Sequence, residues 1–106
     1  MKAAITSTGN TLDSLLDQHF GRCQYFVVYD TDSKSIEFLP NPFKTMEEGA
    51  GYSVVQLLVS KEVNKVISGE FGLKVKPILD SHKIQMIIIK DPNKRINGIL
   101  ELLNHY

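Results

Sequence analysis

His19 and Cys23 stand four positions apart in the run His19-Phe20-Gly21-Arg22-Cys23. A neutral imidazole and a thiolate are soft-to-borderline metal ligands. Two ligands do not close a tetrahedral site around a bare ion. They can grip exposed metal atoms of a cluster that already carries its own sulfide. Such clusters are usually anionic, so main-chain amides and basic side chains would help to hold one. Glycines Gly49, Gly51, Gly69 and Gly72 precede or open two apolar stretches at helical spacing. Glycine lets a ligand approach the backbone, and the free N–H groups of a helix start favour an anion. Arg22 and Lys74 can add positive charge.

Each of these residues also has a plainer reading. A lone cysteine at a strand start is, taken alone, more often a small buried apolar group than a ligand. His19 can serve as a hydrogen-bonding loop residue. Phe20 and Phe71 read as plugs that anchor loops in the core. Gly21 can serve a turn alone, and the glycine pairs can simply start helices. Lys74 reads as a solvated helix residue. Asp13 and Asp17, which could share a helical face, read as surface or capping groups. His82 and His105 suit helix C-termini, and Tyr52 and Tyr106 read as packing residues.

The elements that must position these groups follow from periodicity. Lys2–Thr6 reads as a strand, followed by a long polar segment from Ser7 to Cys23. Tyr25–Tyr29 is aromatic and β-branched. Turn formers at 30–33 lead to a further strand through Ile36, Phe38 and Leu39, so the two strands make a hairpin. Glu47 and Glu48 suit a first helical turn, and Ala50, Val54, Leu57 and Leu58 recur at helical spacing. Val63, Val66 and Ile67 mark a strand, and Gly69–Gly72 turns into a second helix. Pro77 makes that helix short, late-starting or kinked. Ile84–Ile89 reads as a strand covered on both faces. Ile96, Ile99, Leu100 and Leu103 stripe a last helix.

The order β-β-β-α-β-α-β-α implies one α/β domain over residues 1–106 with a mixed sheet. Crossover helices make the first, fourth and fifth strands parallel, and the hairpin extends one side. The 7–23 segment, the first helix start and the 69–72 turn then meet on one rim, at the carboxyl ends of strands where open α/β sheets bind ligands. So long a loop in so small a domain is more often functional than not.

Composition narrows the classes. Of 106 residues, 42% are hydrophobic and 23% charged, with 12 basic and 12 acidic side chains. A core of useful size is available, and bulk charge recruits neither nucleic acid nor an anionic membrane. Cys23 is the single cysteine, which excludes an internal disulfide and a multi-cysteine cage from one chain. No stretch resembles a signal peptide or a membrane span, so a cytoplasmic, reducing setting is expected.

The same residues resemble the dinitrogenase iron-molybdenum cofactor biosynthesis family, the NifX/NafY-like domains. The resemblance runs through LDS at 12–14, DQHFGRCQYFVVYD at 17–30, NP at 41–42, GAGYSVVQLL at 49–58 and GEFGLK at 69–74. It covers nearly the whole chain. It implies a three-layer, ribonuclease H-like fold with a five-stranded sheet in the order 3-2-1-4-5. It also implies that the chain holds a metal-sulfide cluster, either iron-sulfur or molybdenum-iron-sulfur, and carries it between donor and acceptor proteins. His19 matches the family's proposed cluster contact. The Cys23 position varies in the family, and many members have Gly-Pro-Lys where this chain has Gly72-Leu73-Lys74.

The expectation is therefore a carrier, not an enzyme, acting as a monomer or weak dimer. Its candidate residues are His19, Phe20, Gly21, Arg22, Cys23, Gly49, Gly51, Gly69, Phe71, Gly72 and Lys74, with His19 and Cys23 as metal ligands. The competing readings are a metal-free small-anion sensor or enzyme, and a protein-interaction module, both using the same rim. No nucleophile with its base and orienting group stands out in the sequence. The first strand also lacks the carboxylates of a two-metal nuclease.

Overall fold

Side chains alternate across each strand, and this alternation sorts the apolar residues into two layers. The computed structural model describes residues 1–105, so Tyr106 lies outside the described residues. The strands are β1 (Lys2–Ser7), β2 (Tyr25–Asp30), β3 (Ile36–Pro40), β4 (Lys65–Ser68) and β5 (Gln85–Ile88). The helices are α1 (Ala50–Ser60), α2 (Val75–Ser81) and α3 (Ile96–Asn104). The sheet order is β3-β2-β1-β4-β5, with β1 antiparallel to β2 and parallel to β4. This is the order that the family resemblance implies.

The register aligns the core in rows. Val27, Ile5, Ile67 and Ile87 are neighbours across four strands, and that face packs against Ile96, Ile99, Leu100 and Leu103 of α3. Val28, Ala4, Val66 and Met86 form the matching row on the other face. There they meet Val54, Val55 and Leu58 of α1 and Val75 and Leu79 of α2. Burying such rows on both faces is the main stabilising contribution of the sheet.

Three local expectations are corrected. Glu47 and Glu48 precede α1 rather than occupying its first turn, because the helix starts after Gly49, whose φ of 77° is left-handed. No helix forms around Asp13 and Asp17, so they share no helical face. β5 is an edge strand, not a strand covered on both faces: Met86 and Ile87 are half-buried, and Ile88 is 51% exposed. An unbroken apolar run does not by itself distinguish a central strand from an edge. Pro77 acts as expected. α2 is a short helix of 7 residues starting at Val75, which leaves proline in the first turn, where its missing N–H removes no helical bond.

The 7–23 segment is tied to the sheet rather than draped over it. The Thr6 hydroxyl donates to the Asp17 carbonyl at 2.7 Å. The Asp17 N–H donates to the Thr6 carbonyl, and Gly69 N–H donates to the Asp17 carbonyl. At the other end of the loop the Leu12 and Ser14 carbonyls accept from Asn97 and Ile96, and so satisfy the first amides of α3. Gly69 makes the crossing possible, since a Cβ there would lie 2.6 Å from the Gln18 Cα. Gly69→Ala is expected to lower stability by about 2 kcal/mol through forced displacement of this backbone, read as a lower urea midpoint.

Candidate functional site

Three chain segments meet above the carboxyl ends of β1 and β4, as the topology requires. They enclose an open depression of about 660 Å³ lined by His19–Arg22, Glu47–Gly51, Glu70, Gly72, Lys74 and Val75. Of the candidates, His19, Phe20, Gly21, Arg22, Gly49, Gly51, Gly72 and Lys74 lie on this lining. Cys23, Gly69 and Phe71 do not.

His19 stands at the rim with its side chain 67% exposed, and its Nδ1 is 3.2 Å from Glu70 Oε1. The adjoining backbones form a parallel bridge between His19 and Glu70, and the Asp17 carboxylate accepts the His19 N–H at 2.9 Å. A carboxylate can only accept, so Nδ1 carries the proton in this pair. In the neutral ring Nε2 then keeps its lone pair, and it makes no hydrogen bond among the described residues. An imidazole held through one nitrogen by a carboxylate and open at the other is the usual arrangement of a metal-binding histidine.

Phe20 roots this histidine. It is 2% exposed and its ring lies 6.1 Å from Phe26 and 5.1 Å from Phe71. Both phenylalanines are therefore the expected plugs. Gly21 gives close packing: a Cβ there would stand 3.3 Å from the Gly51 nitrogen, and one on Gly51 would stand 2.8 Å from Val75 Cγ2. These two glycines therefore knit the loop, α1 and α2 together, a structural use beside any role toward a ligand. The first-turn amides of α1, on Ala50, Gly51 and Tyr52, have no acceptor among the described residues. They differ in this from the capped amides of α3.

The charges are mixed. The lining carries Arg22 and Lys74, but also Glu47, Glu48 and Glu70. Arg22 is already committed. Its guanidinium donates to the Lys44, Met46 and Glu47 carbonyls and so ties the 44–47 segment to the loop. Asn41 makes the reciprocal clamp: buried at 3% exposure, its amide donates to the Gly21 and Cys23 carbonyls at 3.0 Å each, while its carbonyl accepts from the Phe43 N–H. Tyr52 is 58% exposed and Leu73 97% exposed, so Tyr52 is not the packing residue expected.

Cys23 is not presented to the rim. It is fully buried among Phe20, Phe26 and Val54, with its thiol directed to the Phe20 carbonyl at 3.6 Å. Burial pushes the thiol well above its ordinary range, and the Asp17 carboxylate adds to this. A thiolate ligand is disfavoured in such surroundings. Among the described residues no three His, Cys, Asp or Glu side chains are grouped to hold a metal ion. The rim thus offers one outward imidazole, not a cage. Glu70 and Asn41 were not singled out from sequence. Both lie inside quoted motifs, GEFGLK and Asn-Pro, but their partners are far along the chain.

A family model described as dinitrogenase iron-molybdenum cofactor matches residues 1–105. No curated protein matches the sequence significantly. Among solved structures, the apo form of the orange protein (ORP) of Desulfovibrio gigas superposes with a TM-score of 0.88 at 26% identity, over 96% of this chain and 85% of that one. A Thermotoga protein provisionally named NifB gives 0.83 at 28% identity, over 98% and 87% of the two chains. A Methanocaldococcus jannaschii protein provisionally named a dinitrogenase shares the fold, with a TM-score of 0.67 at 19% identity over 99% and 88%.

The burial of Cys23 has a pH signature. Its thiol is raised in the folded chain, so the unfolded chain loses this proton first. Folding stability from this group is intact below the ordinary thiol value of 9.0 and declines as pH climbs above it. Urea midpoints measured on either side of that pH should fall more steeply for wild type than for Cys23→Ala. Native Cys23 should also resist thiol reagents that modify it promptly in urea.

Proposed function

The chain belongs to the dinitrogenase iron-molybdenum cofactor family, and from this premise we propose that it is a carrier, not an enzyme, holding a preassembled metal-sulfide cluster or its precursor as cargo. His19 Nε2 is the coordinating atom. Glu70 orients the imidazole and holds its proton on Nδ1, which leaves Nε2 as the free donor atom. The unpartnered first-turn amides of α1 face the cargo's sulfides and their negative charge. Lys74 supplies the mobile cation, while Arg22 shapes the 44–47 wall.

The observation that carries this reading is the His19–Glu70 pair at the mouth of an open depression. One imidazole cannot enclose a bare ion, but it can bind an exposed metal atom of a cluster complete in itself. A metal-free anion would have only the α1 amides and Lys74 to hold it, and Glu47, Glu48 and Glu70 work against it. A coordination bond is much less sensitive to those solvated carboxylates, which salt screens. An open rim with one protein ligand also suits transfer: a donor or acceptor can reach the cargo's other metal atoms while His19 still holds it.

Cys23 takes no part in this proposal, which narrows the expected ligand pair to His19. Anaerobic titration with preformed cluster, followed by charge-transfer absorbance, tests it. His19→Ala should abolish saturable binding, and Glu70→Gln should weaken it by roughly tenfold or more. Cys23→Ala should bind as wild type does. Equal binding by wild type and His19→Ala would refute the assignment.

A further inference from the structure

Among the described residues the buried polar side chains are Thr6, Ser7, Asn41 and Ser68. A buried hydroxyl is costly unless it is hydrogen-bonded. Each of these groups donates to a main-chain carbonyl in the loops at the rim end of the sheet. Asn41 holds Gly21 and Cys23, and Ser7 donates to the Gly9 carbonyl at 2.7 Å.

Thr6 and Ser68 differ in what lies above them. Ile5 pairs with Ile67 across β1 and β4, and Ala4 with Val66. Both rows are apolar. In the next row each strand carries a hydroxyl instead, Thr6 and Ser68, both with 0% exposure. Thr6 donates to the Asp17 carbonyl at 2.7 Å, just ahead of His19 in the chain. Ser68 donates to the Glu70 carbonyl at 3.1 Å, while its own carbonyl accepts from the Ile89 N–H. One sheet-anchored hydroxyl therefore holds the main chain under each member of the His19–Glu70 pair.

The pair needs this support. Its side chains are 67% and 63% exposed, and exposed partners gain little against the freedom they give up. Glu70 has several rotatable bonds with which to leave Nδ1. A fixed separation of the two backbones, which form a parallel bridge, keeps its carboxylate within reach of the ring.

We propose that Thr6 and Ser68 are positioning residues for His19. Neither lines the depression, and together they set the distance at which Glu70 holds the ring proton on Nδ1. The proposal rests on His19 as the coordinating residue, but the pair exists without cargo and its geometry can be read without cargo.

Long-range ¹H–¹⁵N spectra of the His19 ring test it, recorded on cargo-free protein at a pH where the ring is neutral. Wild type should be mainly the Nδ1–H tautomer. Ser68→Ala and Thr6→Val should each lower the ratio of Nδ1–H to Nε2–H by roughly threefold, as for the loss of one ordinary hydrogen bond. Thr6→Ser keeps the hydroxyl and should keep the wild-type ratio. Ser7→Ala removes an equally buried hydroxyl that holds Gly9 instead, and should leave the ratio unchanged whatever its effect on stability. A wild type that is mainly Nε2–H overturns the proposal. An unchanged ratio in Ser68→Ala or in Thr6→Val overturns the assignment of that residue. An equal shift in Ser7→Ala overturns both, since the effect would then be general loosening. Anaerobic titration of the same proteins with preformed cluster separates this proposal from the carrier reading. The predicted tautomer shifts, found while even wild type binds no cluster, would refute the carrier and support the positioning.

Discussion

Everything at the rim depends on how one loop crosses the top of the sheet. Leu16 is buried in the layer beneath α3, and only four residues later Phe20 is buried in the opposite layer beneath α1 and α2. The chain between them must pass over the carboxyl ends of β1 and β4. The Asp17 carbonyl fixes that passage by accepting from both the Thr6 hydroxyl and the Gly69 N–H. With both ends anchored in separate cores, His19 has nowhere to go but outward. The loop is long but held, and fixing of this kind favours the binding role proposed for His19 because less freedom is lost on binding.

The same crossing explains the division of labour between His19 and Cys23. Near in sequence, they fall on opposite sides of the Phe20 anchor: one in solvent beside a carboxylate, the other sealed beneath the 41–47 segment. Asn41 and Arg22 hold that segment down from below and above. Removing the Asn41 amide would strand the buried Cys23 carbonyl and the part-buried Gly21 carbonyl, a costly loss away from water. The thiol's environment thus follows from keeping the wall of the site in place.

Much of this was legible in the sequence, for physical reasons. Sequence patterns located all five strands and the three helices, and the rule for parallel crossovers placed the rim. The burial of Phe20 followed from its being a large apolar group in a polar loop. What could not be read were long-range pairings. Glu70 reaches His19 across 51 residues, and Asn41 reaches Gly21 across 20. The glycine pair located the start of α1 at Gly49–Gly51, as found, while Glu47 and Glu48 fall outside the first turn because carboxylates suit a first turn and a preceding loop alike. The edge position of β5 follows from the strand order that the resemblance implies, but the exposure of Ile88 depends on what fails to cover that face, which an apolar run does not encode. Only the family resemblance pointed to a metal-sulfide cargo for the proposed carrier; neither the glycines nor the helix ends specify one.

The central claim is that cargo sits at His19, over the start of α1. The most direct measurement is paramagnetic broadening of backbone amide resonances as ¹⁵N-labelled protein is titrated anaerobically with a preformed metal-sulfide cluster. The account predicts that the resonances of His19–Gly21, Ala50–Tyr52 and Gly72–Lys74 disappear first, while those of β5 and α3 persist. Broadening centred on β5 and α3, or spread evenly over the chain, would contradict it.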